Sequence, residues 1–219
     1  MRTRQPWKLR VLRPSDVDAT ARVLAAAFAD NPTYRYMHPR AHAHACDLER
    51  FFQRNLRWRV QLRLTWIASD ADGQVIGTAT LEPPGGVPHS TTRLFRHWVL
   101  PTLREQGART VARIVQTDAA FGQRYRALGG GARYWHVHAV AVDPAQQGAG
   151  AGTALLAHVL GQLDQLLHTD PAPVLLSTQR ERNVPLYQRF GFTLRESVVF
   201  HGYRSWFMER ERFENAVEL

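Results

Sequence analysis

A chain of 219 residues, 44% hydrophobic and 21% charged, can bury one substantial core and has ordinary globular composition. No run of ~18 uncharged apolar residues occurs, so neither a membrane span nor a secretory leader is expected, and the single cysteine, Cys46, excludes an internal disulfide and a thiolate zinc cluster. A reducing, cytoplasmic setting fits, and the net charge of +9 is carried by arginine: of 28 basic residues only Lys8 is lysine, which leaves no Walker lysine beside a glycine loop and no interior Schiff-base lysine.

The segment from Trp7 to Arg13 alternates apolar and charged residues as a half-buried strand does. A helix follows, with Ser15 as cap, Asp18 three positions on, and Val17, Val23, Leu24, Ala27 and Phe28 at helical spacing; Asp30–Pro32 breaks it. A second helix is predicted from Cys46 to about residue 62, then a hairpin turning at Asp70–Gly73. Glu82–His89 reads as a loop, Ser90–Leu128 as amphipathic helix, and Gly129–Gly131 as its end. A strand at Tyr134–Val142, a glycine loop, a helix to about residue 168, a strand at Pro173–Ser177, a short helix at Val184–Phe190 and strands near Phe192–Val199 and Tyr203–Met208 complete the chain. The pieces flanking the helical segment are each too small for a core of their own, so residues 1–219 are read as one domain.

The stretch QQGAGAG, Gln146–Gly152, places three glycines at alternate positions between strand and helix. The first turn of a helix has N–H groups without intrahelical partners and a positive dipole end, so removing side chains there lets an anion reach the backbone. A glycine turn that only lets the helix pack closely on the sheet is the other reading. A dinucleotide fingerprint is excluded because Thr153 stands at its third small position and Asp170 precedes the next strand rather than ending it; a Walker loop is excluded because Gly152, not lysine, precedes Thr153.

At VAVDPAQQGAGAGTALL the chain resembles the acyl-CoA-binding signature of the GNAT N-acetyltransferase superfamily, through Gln147, Gly148, Gly150 and Gly152, and LLSTQRERNVPLYQRFGF resembles that superfamily's next strand and helix, through Asn183, Pro185, Tyr187, Gly191 and Phe192. LAAAFADNP and SWFMERE are similar to the branch that includes puromycin N-acetyltransferase. The resemblance implies an α/β (α+β) fold class: a single GNAT-type domain with a mixed, mostly antiparallel central sheet of about six to seven strands flanked by helices. A helical insertion at 82–131 precedes the fourth strand and would lie as a lid over the acceptor site.

The resemblance further implies transfer of an acetyl group from acetyl-CoA, as co-substrate, to a primary amine by direct attack. Main-chain groups of Gly148, Ala149, Gly150, Ala151, Gly152 and Thr153, with Gln147 at the edge, would hold the pyrophosphate, and Val140, Ala141 and Val142 would align the pantetheine arm as an added strand does. Asn183 would contact that arm. Tyr187, four positions on and so on the same helical face, would protonate the departing sulfur, although it also reads as a core aromatic. A carboxylate often precedes the glycine loop in related enzymes; here YWHVHAVAV has none. His138 and His136, one face of a strand, are read either as base or water relay or as a hydrogen-bonded pair in the sheet, with Glu82 as a further candidate.

No metal site is expected. His42–Cys46 offers ligands on a loop with no partner acid beyond Asp47. Trp58, Trp66, Trp98 and Trp135 read as core or pocket walls. The arginines run from Arg2 to Arg212 without a basic stripe, so no nucleic-acid partner is expected; the same charge reads as a field for an anionic cofactor or as a solvated surface. The expected partner is a small-molecule amine acceptor, without a membrane, and with a homodimer left open. Protein or peptide N-acetylation and a non-catalytic acyl-CoA-binding module are the alternatives.

Overall fold

The computed structural model describes residues 7–39, 45–87, 90–131, 133–167 and 172–210. Within them lie strands β1 (Lys8–Val11), β2 (Thr65–Ser69), β3 (Val75–Glu82), β4 (Trp135–Val142), β5 (Val174–Thr178), β6 (Phe192–Phe200) and β7 (Tyr203–Arg210). They form one seven-stranded sheet in the order β1-β2-β3-β4-β5-β7-β6, antiparallel throughout except for β4 against β5. This is the mixed, mostly antiparallel sheet of the resemblance. His42 and His44 of the histidine-rich loop fall outside the described residues, while Cys46 beyond it is exposed.

Helices α1 (Val17–Phe28) and α3 (Ala45–Arg59) pack on one face of β3 and β4 through Ala21, Leu24, Leu48, Phe52 and Leu56, all buried. Helix α7 (Ala151–Leu167) covers the opposite face with Leu155, Leu156, Val159 and Leu163, residues of one helical stripe that expose essentially no surface. Between β3 and β4 the insertion folds as α4 (Thr91–Leu94), a π-helical turn (Phe95–Val99), α5 (Leu100–Gln106) and α6 (Ala108–Leu128). Tyr125 of α6 joins Leu175 and Phe207 in a third cluster, so α6 belongs to the core. Hydrogen bonds fasten the insertion to the first helices: His38 Nδ1 meets Gln106 Oε1 at 2.7 Å, and Arg113 Nη1 donates to the Tyr36 carbonyl at 3.1 Å.

Two local expectations are corrected. Asp16, not Ser15, organises the start of α1: its carboxylate accepts from the Arg13 N–H at 2.9 Å and pairs with Arg10 at 2.5 Å, a bidentate ion pair that a hydroxyl has no charge to make. Asp30–Pro32 ends one helix and also starts another, α2 (Pro32–Met37), because Asn31 accepts from the Thr33 N–H at 2.9 Å and Pro32 fits a first turn that needs no N–H. Trp66 and Trp135 are buried in the core, whereas Trp58 and Trp98 line a cavity.

Candidate active site

β4 and β5 pair only at Trp135↔Val174 and His136↔Leu175, then part. The β3–β4 register skips His138: Thr80 faces Ala139 and Leu81 faces Val137, which makes His138 the extra residue of a β-bulge. The bulge shifts the inside–outside alternation by one. Trp135 and Val137 pack on the α7 side, whereas Ala139 and Ala141 pack against α1 and α3. Asp143 donates its N–H to the Ile76 carbonyl of β3, and strand alternation turns the main chain of Ala141 the same way. Val140 and Val142 therefore present theirs to the gap left by β5, and Gln147 Nε2 already donates to the Val142 carbonyl there at 3.0 Å.

The glycine loop sits at the end of this open edge. Gly148 and Gly150 have φ of 91° and 88°, backbone that favours glycine, and a Cβ on Gly148 would meet nothing within 4 Å. Gly152 works differently: a Cβ there would stand 3.3 Å from Val142 Cγ2, so its bareness seats α7 against β4. Both readings of the glycines thus apply, to different residues. Ala151 turns its methyl into the core, and Gly148, Ala149, Gly150 and Thr153 lie exposed around the first turn of α7, whose amides point outward without intrahelical carbonyls. This bare, dipole-positive turn fits an anion.

A cavity of about 870 Å³ runs from that loop through the β4–β5 gap to the insertion. Gln147, Gly152, Asn183, Tyr187, Arg180 and Arg182 line it at one end, Val140, Ala141 and Val142 in the gap, and His136, His138, Glu82, Tyr34 and Asp118 at the other. Asn183 Nδ2 reaches Thr178 Oγ1 at 3.4 Å. The Tyr187 ring packs edge-on to Phe192, and burial pushes its phenol up to about 12, so it stays protonated at neutral pH.

Glu82, at the last position of β3, is the hub of the far end. It pairs with Arg59 of α3 through Oε1; His136 Nδ1 lies 2.9 Å from its Oε2 and His138 Nδ1 lies 3.5 Å from Oε1. His136 Nε2 is 3.0 Å from the Tyr125 hydroxyl, which donates to Ser177 Oγ at 2.7 Å. Both nitrogens of His136 are thus within hydrogen-bond reach of partners, whereas only Nδ1 of His138 is turned to Glu82. Burial alone would raise the Glu82 carboxyl, but His138, His136 and Arg59 hold it well below the usual carboxylate range. Burial pushes His138 down to about 3, with Arg59 and His136 adding to the effect and Glu82 opposing it, so its imidazole is neutral at pH 7. Glu82, His136 and His138 bring ligand atoms within 4.8 Å of one another, but a cation there would have to displace the Arg59 guanidinium from the same carboxylate.

Residues 110–194, from α6 to the start of β6, match the family model described as an acetyltransferase (GNAT) domain. Over those residues the chain is similar to a GNAT acetyltransferase domain. The fold agrees over nearly its whole length. A mosquito arylalkylamine N-acetyltransferase-like 5b superposes with a TM-score of 0.61 at 17% identity, covering 93% of this chain and 98% of its own. A Drosophila melanogaster polyamine N-acetyltransferase that forms N-acetylagmatine gives 0.61 at 15% identity, covering 93% and 98%. A structure described as a histone acetyltransferase and related acetyltransferase from Corynebacterium glutamicum gives 0.61 at 16% identity, covering 97% and 99%. No helix among the described residues is long and apolar enough to cross a membrane.

The structure brings Tyr187, Asn183, His136 and His138 to one cavity. It also adds residues that sequence reasoning missed. Arg59 is one of four arginines on α3, and nothing in their spacing says which turns inward. Tyr125 and Ser177 read as helix and strand residues, and Asp118 as part of the polar face of a long amphipathic helix. Glu82 was legible only as an acid at a strand end; the β3–β4 register sets it opposite His136.

Proposed function

We propose that this domain transfers an acetyl group from acetyl-CoA to the primary amine of a small molecule. One observation carries the reading: a single cavity joins the bare turn at the N-terminus of α7, by way of the β4–β5 gap, to the Glu82–His138 pair. The N–H groups of the Gly148–Thr153 turn would hold the pyrophosphate, supported by Arg180 and Arg182 at that end, and the open main chain of Val140 and Val142 would align the pantetheine arm. Bound acetyl-CoA supplies an activated acyl group and leaves as a thiol. The chain's own residues must then take a proton from the amine and steady negative charge on sulfur.

His138 is the better base of the two histidines. Among the described residues no partner engages its second ring nitrogen, and Glu82 beside Nδ1 can fix the tautomer and stabilise the imidazolium once it forms. With a pKa of about 3 the resting imidazole cannot strip an alkylammonium; it takes the proton as the amine nitrogen begins to bond and turns acidic. His136, held between Glu82 and Tyr125, positions the carboxylate. Tyr187 acts at the sulfur. A phenol near 12 is a weaker acid than a thiol of about 8.5, so Tyr187 stabilises the departing thiolate chiefly by hydrogen bonding rather than by complete transfer.

The insertion forms one wall of the far chamber and in this reading selects the acceptor. Its enclosure favours a small amine over a protein chain. The test is thiol release from acetyl-CoA in the presence of a panel of small amines and peptides, paired with calorimetry of acetyl-CoA binding. Saturable binding with amine-dependent release supports the proposal. No binding at millimolar acetyl-CoA would sink it, and binding without release from any amine would favour a non-catalytic acyl-CoA-binding module.

A further inference from the structure

Among the described residues, some charged groups lining the cavity are matched by partners, whereas the carboxylates of Asp30 and Asp118 are not. Glu82 is matched by Arg59, and Arg54 by Glu105 at 2.5 Å. Asp118, one turn after Ile114 on α6, lines the same chamber, yet among the described residues no hydrogen bond or ion pair engages its carboxylate. Its surroundings are aromatic: Phe28, Tyr34, Phe51, Trp58, Trp98 and Phe121 wall the cavity. Asp118 therefore leaves the acceptor chamber with an unmatched negative charge in a protein whose net charge is +9. Asp118 keeps surface open to the cavity, so its carboxylate can meet a cation that a ligand supplies.

Resting on the acyltransferase reading, we propose that Asp118 draws in the acceptor as its ammonium, which gives up one proton to solvent before attack and its second to His138 as the amide bond forms, and that the acceptor is a monocationic amine with an aromatic or broad apolar body and no carboxylate. The aromatic rings accommodate that body and add cation–π attraction near the amine. An amino acid is disfavoured because its carboxylate would join Asp118 and Glu82 in a chamber whose nearby guanidinium groups, Arg54 and Arg59, are already engaged. The polarity of the whole cavity agrees, with Arg180 and Arg182 at the end meant for phosphates and Asp118 at the end meant for the amine.

Asp118 also gives the chamber a pH dependence. Burial pushes its carboxyl up to about 6, the charge of Glu82 adds to the rise, and Arg59 works against it. The groups that act on it are Arg59 of α3 and Glu82 of β3, and its own charge acts on Tyr34 of α2. Amine affinity should weaken as pH falls through about 6.

The test uses the full chain with 2-phenylethylamine and L-phenylalanine, which differ by one carboxylate. The wild type should favour 2-phenylethylamine in kcat/KM. Asp118→Asn should raise KM for 2-phenylethylamine at least about 10-fold, the usual scale for losing a charge-assisted hydrogen bond, with kcat and KM for acetyl-CoA nearly unchanged. The variant should also lose the rise of KM below pH 6. Asp118→Arg should shift preference toward L-phenylalanine. An unchanged KM in Asp118→Asn, or a wild type that prefers L-phenylalanine, overturns the proposal while leaving the acyltransferase reading intact. Calorimetry separates the two: absence of acetyl-CoA binding strikes at the acyltransferase reading, whereas 2-phenylethylamine binding that Asp118→Asn abolishes supports the anchor even then.

Discussion

Asp118→Asn should stabilise the folded protein at neutral pH while it weakens amine binding. Folding raises the Asp118 carboxyl from an ordinary value of about 3.9 to about 6. A raised folded-state pKa means that the native state binds the proton more tightly than the unfolded chain. The corresponding stability is fully present below about pH 3.9 and is lost as pH rises through about 6. Above that the native protein carries an ionised Asp118 that the unfolded chain would solvate better, and the isosteric amide removes this burden. Asp118 is exposed by surface area, but the surface borders the cavity. Two pKa units at full strength would amount to about 3 kcal/mol, and water within the cavity screens that to something on the order of 1 kcal/mol. For a chain of this length the gain is about 2–4 °C in Tm. Thermal unfolding followed by circular dichroism at pH 7.5 and at pH 4 measures it: the variant should melt higher at pH 7.5, and the gap should close at pH 4, where both forms are neutral. A variant that melts lower at pH 7.5, or a gap independent of pH, would show that the Asp118 carboxylate is not an isolated charge in the native chamber.

Tyr187→Phe should lower kcat about 10-fold or more and leave the Kd for acetyl-CoA within twofold, measured by steady-state kinetics and calorimetry, because the ring keeps its place against Phe192 and only the hydroxyl is lost. Gly150→Ala forces a side chain onto a φ of 88° and should cost about 1–2 kcal/mol locally, weakening acetyl-CoA about 10-fold. Gly152→Ala meets Val142 at 3.3 Å inside a helix and should change affinity far less, so equal effects from the two would contradict the division of labour among the glycines. Glu82→Gln removes the charge that steadies the imidazolium while keeping hydrogen-bonding capacity; kcat should fall by about 10²-fold with the KM for acetyl-CoA unmoved, and equal losses in both would instead mark a structural lesion.

The strand and helix order could be read from periodicity because each element carries its own pattern: the alternation in β1, the glycine punctuation before α7, the apolar stripe of α7 itself. What escaped was whatever depends on pairing between distant segments. Glu82 and His136 are brought together by strand register, and neither carries a local sign of the other. Arg59 faces inward because α3 is rotated to bury Leu48, Phe52 and Leu56, which leaves the choice among its arginines to the packing. Asn31 was hidden for a different reason: the same tripeptide that ends one helix caps the next, and a break reads the same either way. Asp118 looked like a solvated charge because an amphipathic helix normally shows its polar face to water; here that face borders an internal cavity.

The bulge at His138 links these pieces. In an unbroken strand, side chains two apart share a face, so His136 and His138 would be joined there by residues 140 and 142, and the small Ala139 and Ala141 would fall on the α7 side. One extra residue keeps both histidines toward Glu82 and sends Ala139 and Ala141 to that face as well, with Val140 and Val142 packed on the other. Small side chains therefore stand on the cavity side between the histidines and the glycine loop, where a cofactor arm has to pass, and larger valines meet α7. The same bulge strengthens the local twist, which helps part β4 from β5 just after His136↔Leu175. Placement of the base, clearance for the arm and the opening through the sheet thus follow from one inserted residue, and that residue is the histidine best placed to take the amine's proton.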